Sequence, residues 1–305
     1  MKFSRGFAPC PNDTFIFDAL VNKKIDTEGL DFEVHLEDVQ TLNNFALENR
    51  FDFSKISYGV MPLLLETHTL LNSGGAMGNG VGPLLICKDP NITPDDVNHL
   101  RIAIPGKNTT AYLLFSYVYP NAKNISFYVF NEIEAAVLSG EVDAGVIIHE
   151  NRFTYAQKGL YKITDLGAEW ETKTKSPIAL GGIVASNRIP KPIMQQVDQL
   201  IAKSVAYAFN NYPTISEYVS CHAQEMSEAV MRQHIDLYVN DFSTDMGETG
   251  KNAIETLVHI YQQMNAKLPS HSTPASVVPL TSIFADTRVT PTPSRAWKLI
   301  TGVIP

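Results

Sequence analysis

The run Glu141 to Tyr155, EVDAGVIIHENRFTY, constrains the chain most, because an apolar strand leads straight into a histidine. Val142, Ala144, Val146, Ile147 and Ile148 read as a short strand buried on both faces, with Gly140 stopping the helix before it. A strand of that kind belongs to an α/β sheet with both faces covered. His149 then falls at the strand's end, and in open α/β sheets ligands bind in the crevice beyond the carboxyl ends of the strands. An imidazole there is mostly neutral at pH 7 and ready to take a proton. The plainer role, a strand-end histidine that satisfies a neighbouring carbonyl, is the more frequent one for a random position. The rest of the chain decides between them.

Other strand ends repeat the pattern. Asp52 to Ser57 reads as a strand that finishes on Lys55, Ile56 and Ser57. There Lys55 can pair with a carboxylate and Ser57 can donate a hydrogen bond. Arg101 to Pro105 is another strand, followed by Gly106-Lys107-Asn108-Thr109-Thr110 and the helical AYLLFSYVY. Two threonine hydroxyls at a helix N-terminus suit a carboxylate or a polyhydroxyl group, and capping needs only one of them. Near the start, Lys2 to Ala8 is a strand and Asn12, Asp13 or Thr14 caps the helix that follows. Cys10 sits between two prolines with no histidine close in sequence, so it is not read as a nucleophile.

Between these lie Gly74, Gly75, Gly78, Gly80 and Gly82, spaced neither as a dinucleotide fingerprint nor as a P-loop. They let backbone approach backbone, or ligand, near a crossing between lobes. Tyr58 to Leu71 reads as helix, Leu84 to Cys87 as a strand leading out of the first lobe, and Gly181 to Ala185 as the strand that returns to it. Helices are expected over Ile193 to Phe209, Glu217 to His222, Ser227 to Val239 and Gly247 to Lys267. On these, His222, His234 and His259 have no ligand partner at helical spacing and read as surface or core residues. From Pro269 six prolines and no periodicity suggest a loosely ordered tail.

With 305 residues the chain is long enough for two lobes, each with its own core. A net charge of -8 without any Lys/Arg run speaks against nucleic acid, and no apolar stretch is long enough to insert into a membrane. The start, MKFSRGFAPCPND, lacks the apolar region of a secretion signal, and three scattered cysteines suit reduced thiols; both point to the cytoplasm. With no CxxC pair, HExxH or Asp-rich loop, no metal site is expected.

Four motifs taken together, PCPNDTFIFDAL, SKISY, PGKNTTAY and HENRFTY, resemble the 1,4-dihydroxy-6-naphthoate synthases of the futalosine route to menaquinone. The resemblance covers about residues 1 to 268. It implies an α/β, two-lobed periplasmic-binding-protein-like (type II) fold, each lobe a mixed sheet flanked by helices. Lobe I would take residues 1–85 and 184–268 and lobe II residues 86–183, leaving 269–305 as the tail. It further implies a lyase that acts on cyclic dehypoxanthine futalosine without metal or other cofactor. The base would be His149, and a small-molecule carboxylate substrate would be held by Lys55, Ile56, Ser57, Thr109 and Thr110. The alternatives are the chorismate dehydratase of the same pathway, which is not expected to carry the HENRFTY histidine, and a solute-binding protein with no chemistry. A nucleotide-dependent transferase would rest on glycine abundance alone.

Overall fold

Eleven strands divide between two sheets in the computed structural model, which describes residues 1–223, 227–266 and 284–285. The strands are β1 (Lys2–Phe7), β2 (Asp31–Leu36), β3 (Phe53–Ser57), β4 (His68–Leu70), β5 (Ala76–Gly78) and β6 (Leu84–Cys87). They continue with β7 (Ile102–Ile104), β8 (Ile125–Phe127), β9 (Ala144–Ile147), β10 (Tyr161–Asp165) and β11 (Ile178–Ser186). The first sheet runs β2-β1-β3-β11-β4, with β5 also on β11; the second runs β10-β6-β9-β7-β8. Both are mixed, since β1, β2 and β3 pair in parallel and β7 pairs in parallel with β8 and β9, while β11 and β6 run antiparallel to their neighbours. The α/β, two-lobed architecture expected from the motifs is the one found.

The chain leaves the first sheet after β5 and returns in β11. β6 therefore lies wholly in the second sheet and β11 wholly in the first, so boundaries at 85/86 and 183/184 each fall inside a strand. β11 is nine residues long and pairs in turn with β5, β3 and β4, which makes it the spine of the first sheet. Helix Pro11–Val21 packs on helices Lys191–Asn211, Glu217–His222 and Glu228–Tyr238 over that sheet. In the second lobe, helix Ile133–Ser139 lies on β9 and β7, and Gly140 ends it at φ +79°, a left-handed position that glycine fills without strain.

Tyr58 to Leu71 is not one helix. It forms a 3₁₀ turn, Tyr58–Leu63, with Pro62 inside, and then β4. Proline removes a helical donor, and β11 captures the segment after it through Val184 opposite Leu70. The strand β5 and the helix Leu166–Thr174 also escape the sequence reading. That helix buries only Leu166, Gly167 and Trp170, a narrow face for its nine residues. One of the clustered glycines does what the spacing suggested: a Cβ on Gly82 would lie 2.3 Å from the Cα of Gly167. Most of the expected tail lies outside the described residues, but Phe284 bridges Leu70 and the Ala285 N–H donates to the Leu70 carbonyl at 2.9 Å. Among the described residues no helix is long and apolar enough to cross a membrane.

Two buried basic side chains mark costs in this core. Arg5 is 1% exposed, stacked 3.9 Å from the Phe17 ring, and none of its guanidinium nitrogens has a hydrogen-bond partner; burial lowers its pKa to about 9. A desolvated, unmatched charge is unfavourable, so Arg5→Met is expected to be neutral or to raise stability by about 1–4 kcal/mol in chemical denaturation. A loss of more than about 1 kcal/mol would show that the stacking outweighs the desolvation. His68 is also buried, and burial, with Arg188 nearby, lowers its pKa from 6.5 to about 4. Its neutral ring therefore contributes stability that is present above pH 6.5 and is lost as pH falls toward 4. The size is on the order of 3 kcal/mol, and thermal unfolding of His68→Gln beside the parent across that window measures it.

Candidate functional site

A cleft between the two sheets encloses roughly 710 Å³, counting its open mouth. Its walls include Lys55, Ile56 and Ser57 from the end of β3, Thr109 and Thr110 from the start of helix Thr110–Val118, and His149 from the segment after β9. All six residues singled out in the sequence thus meet in one cavity. Asp13, Cys10, His234 and Tyr238 line it as well.

His149 lies two residues past β9 with φ +56°, a left-handed conformation that costs a non-glycine residue on the order of 1 kcal/mol. The residues after it hold that bend. Asn151 donates to Glu134 at 2.7 Å, Arg152 reaches the Gly82 carbonyl and lies 3.5 Å from Asp165, and Lys158 pairs with the same Glu134 at 2.6 Å. The imidazole packs edge-on to Phe130 at 5.0 Å and parallel to His234 at 5.9 Å, 15° apart. It also borders a second hollow lined by Glu37, Asp38, Phe130 and Asn131. Burial lowers its pKa below the imidazole norm, Asp13 and, when ionised, Glu150 oppose that shift, and the neutral ring is the form at pH 7.

The hydroxyl pair opposite is tightly engaged. The Thr110 N–H donates to Ser57 Oγ at 2.6 Å, the two hydroxyl oxygens are 3.0 Å apart, and the Thr110 hydroxyl donates to the Leu180 carbonyl at 2.8 Å. Gly59 N–H donates to Thr110 Oγ1 at 3.0 Å, and a Cβ on Gly59 would fall 2.4 Å from the Thr109 carbonyl carbon. Thr109 is the helix cap: it accepts from the Tyr112 N–H at 3.1 Å. Capping takes one threonine, as expected, and leaves Thr110 to reach across to the first lobe.

Lys55 finds its carboxylate inside the protein. Its Nζ is 2.9 Å from Asp13 Oδ1 and donates to the Gly74 carbonyl at 3.0 Å. Asp13 caps nothing in the helix it was expected to start; it accepts from the Ala8 N–H, the helix begins at Pro11, and its N-terminal position falls on Cys10 without a side-chain bond. His234 also departs from expectation: it is fully buried but forms part of the cleft wall. Its position far along the chain, on a helix with unremarkable spacing, hid that. Cys10, His149 and His234 each bring one donor atom within 4.8 Å of the others. Cation binding would need a thiolate, whereas burial and Asp13 push the Cys10 thiol well up, and His234 Nε2 already bonds Asn12 at 2.9 Å. The set fits proton handling better than a metal.

A family profile described as menaquinone biosynthesis matches residues 4–263. A protein of Thermus thermophilus named 1,4-dihydroxy-6-naphthoate synthase is 42% identical over 252 residues, covering 83% of this chain and 91% of its own. This chain belongs to that synthase family. A Streptomyces coelicolor protein of the same name is 40% identical over 257 residues, covering 83% and 90%. A Candida albicans protein described as having the generic periplasmic binding protein fold superposes with TM-score 0.67 at 12% identity, over 88% of this chain and 92% of its own. In this chain, then, a binding-protein-like scaffold carries an imidazole and two paired hydroxyls at its cleft.

Proposed function

We propose that the chain converts cyclic dehypoxanthine futalosine to 1,4-dihydroxy-6-naphthoate in the cytoplasm, with His149 as general base in the cleft between the lobes. The observation that carries this reading is a neutral imidazole sharing one cavity with the Ser57 and Thr110 hydroxyls and a helix N-terminus. The substrate carboxylate lies against Ser57, Thr109 and Thr110, where hydroxyls and the positive helix end favour an anion. Lys55 and Ile56 shape that end of the cleft. His149 Nδ1 or Nε2 then takes a proton from the sugar-derived ring, the electron pair released breaks a carbon–carbon bond of that ring, and a three-carbon fragment leaves as the remainder becomes the aromatic naphthoate. The two lobes, one built on each sheet with β6 in the second and β11 in the first, close over the ligand and exclude water.

The test is incubation of the purified chain with cyclic dehypoxanthine futalosine, following the naphthoate by absorbance and mass. Product formation at a rate proportional to enzyme supports the reading. Saturable binding without product would leave a solute-binding protein, and turnover of chorismate instead would leave the dehydratase; the relatives' shared name favours the synthase over both.

A further inference from the structure

Two buried acceptors face each other behind His149. His234 Nδ1 and Glu150 Oε2 are 3.6 Å apart, and neither has a hydrogen-bond partner. The tautomer of His234 is set from its other side. Asp13 Oδ1, already beside the Lys55 ammonium, accepts from Asn12 Nδ2 at 2.9 Å, which turns the Asn12 oxygen toward His234. The His234 Nε2–H therefore donates to Asn12 Oδ1 at 2.9 Å. A neutral His234 then has its lone pair on Nδ1, pointed at a carboxylate oxygen. Two lone pairs cannot satisfy each other, and burial makes both orphans costly. At 3.6 Å the gap is wider than a hydrogen bond, and one proton between them, with the side chains closing by about half an ångström, satisfies both.

We propose that Glu150 and His234 share a single proton, forming a net-neutral pair that stacks behind His149, fixes the orientation of its ring and leaves it an uncharged base. The ring planes lie 15° apart at 5.9 Å, and Glu150 is the next residue in the chain, so the pair bears on His149 from its flank and from its own backbone. The other charged or titratable groups facing His149 are Asp13, Lys55, Asp38, Cys10, the cleft-lining Tyr238, and Glu37, which is exposed and screened by solvent. Asp13 and Lys55 cancel each other at 2.9 Å, and Asp38 is committed to the Gln40 and Thr41 N–H groups. Whether Glu150 carries a proton is therefore the open charge beside the base. His234 and Glu150 are positioning residues here; the catalytic part of the argument rests on His149 acting as proposed above.

The experiment is ¹⁵N-histidine NMR titration of the full-length, ligand-free protein, as parent, Glu150→Gln and Glu150→Ala, together with the pH profile of kcat/KM. A glutamine amide donates to Nδ1 as a protonated carboxyl does. Glu150→Gln should therefore move the His149 titration midpoint by less than about half a unit, while Glu150→Ala, with no donor, lowers kcat on the order of ten- to a hundredfold and leaves KM near the parent's. In the parent, His234 should show a protonated Nε2 and a hydrogen-bonded Nδ1. A midpoint lowered by half a unit or more in Glu150→Gln, the mark of losing a bare carboxylate, overturns the proposal, as does a free lone pair on Nδ1 in the parent. The parent spectrum decides the matter even if neither variant folds. Because the spectra need no substrate, a failure to form naphthoate would sink the proposed reaction without touching this result.

Discussion

Replacing His149 with asparagine is expected to lower turnover by about 10²–10⁴-fold while the fold persists, the range general-base catalysis usually supplies. Asparagine tolerates the left-handed backbone at this position better than alanine, so the comparison isolates the lost base from added strain. The ring itself faces two hollows and carries no core packing load comparable to Phe7 or Trp170, which are fully buried. The pH dependence has a definite sign. A base must be deprotonated to act, and burial places the His149 pKa below the usual 6.5, so kcat/KM should be flat through neutrality and fall only below that value. Steady-state kinetics with a matched circular dichroism melt reads both. Turnover retained in the variant, or an acidic limb above pH 7, would remove His149 from the chemistry.

Lys55→Met should be the most destabilising of the cleft substitutions. Lys55 and Asp13 are both nearly inaccessible and 2.9 Å apart, so removing the ammonium strands a carboxylate in the interior. Breaking one side of a buried pair costs about 3–5 kcal/mol, roughly a 10 °C fall in Tm for a chain of this size. Neutralising the partner as well, in Lys55→Met with Asp13→Asn, should recover a large part of that loss, since no buried charge remains unmatched. The contrast with a ligand role is measurable: a lysine reserved for substrate would weaken binding and leave the melt unchanged.

How much of this was legible beforehand depended on whether the signal was local. The ends of β3 and β9 and the start of helix Thr110–Val118 were readable because apolar runs, glycines and capping residues are written into neighbouring positions. The fold class followed from the same alternation and from the motifs. What failed was decided at a distance. Tyr58 to Leu71 reads as helix, yet β11 claims His68–Leu70 near its end as β4. Leu84–Cys87 looks equally at home in either lobe until β9 and β10 flank it. Lys55 seemed free for a ligand because nothing near it in sequence announces Asp13 as its partner. His234 could not be tied to His149 by spacing at all; only the packing of helix Glu228–Tyr238 behind the cleft brings the two rings together.

The contact between Ser57 and Thr110 sets the terms on which anything can enter. Each hydroxyl proton is already committed, one to the partner oxygen and one to the Leu180 carbonyl, so an arriving anion trades for existing bonds and adds few new ones. Affinity at this spot is then the difference between two satisfied arrangements, and discrimination comes from shape: a flat acid that spans from the exchange point to the imidazole repays the swap, whereas a small free anion gains almost nothing by it.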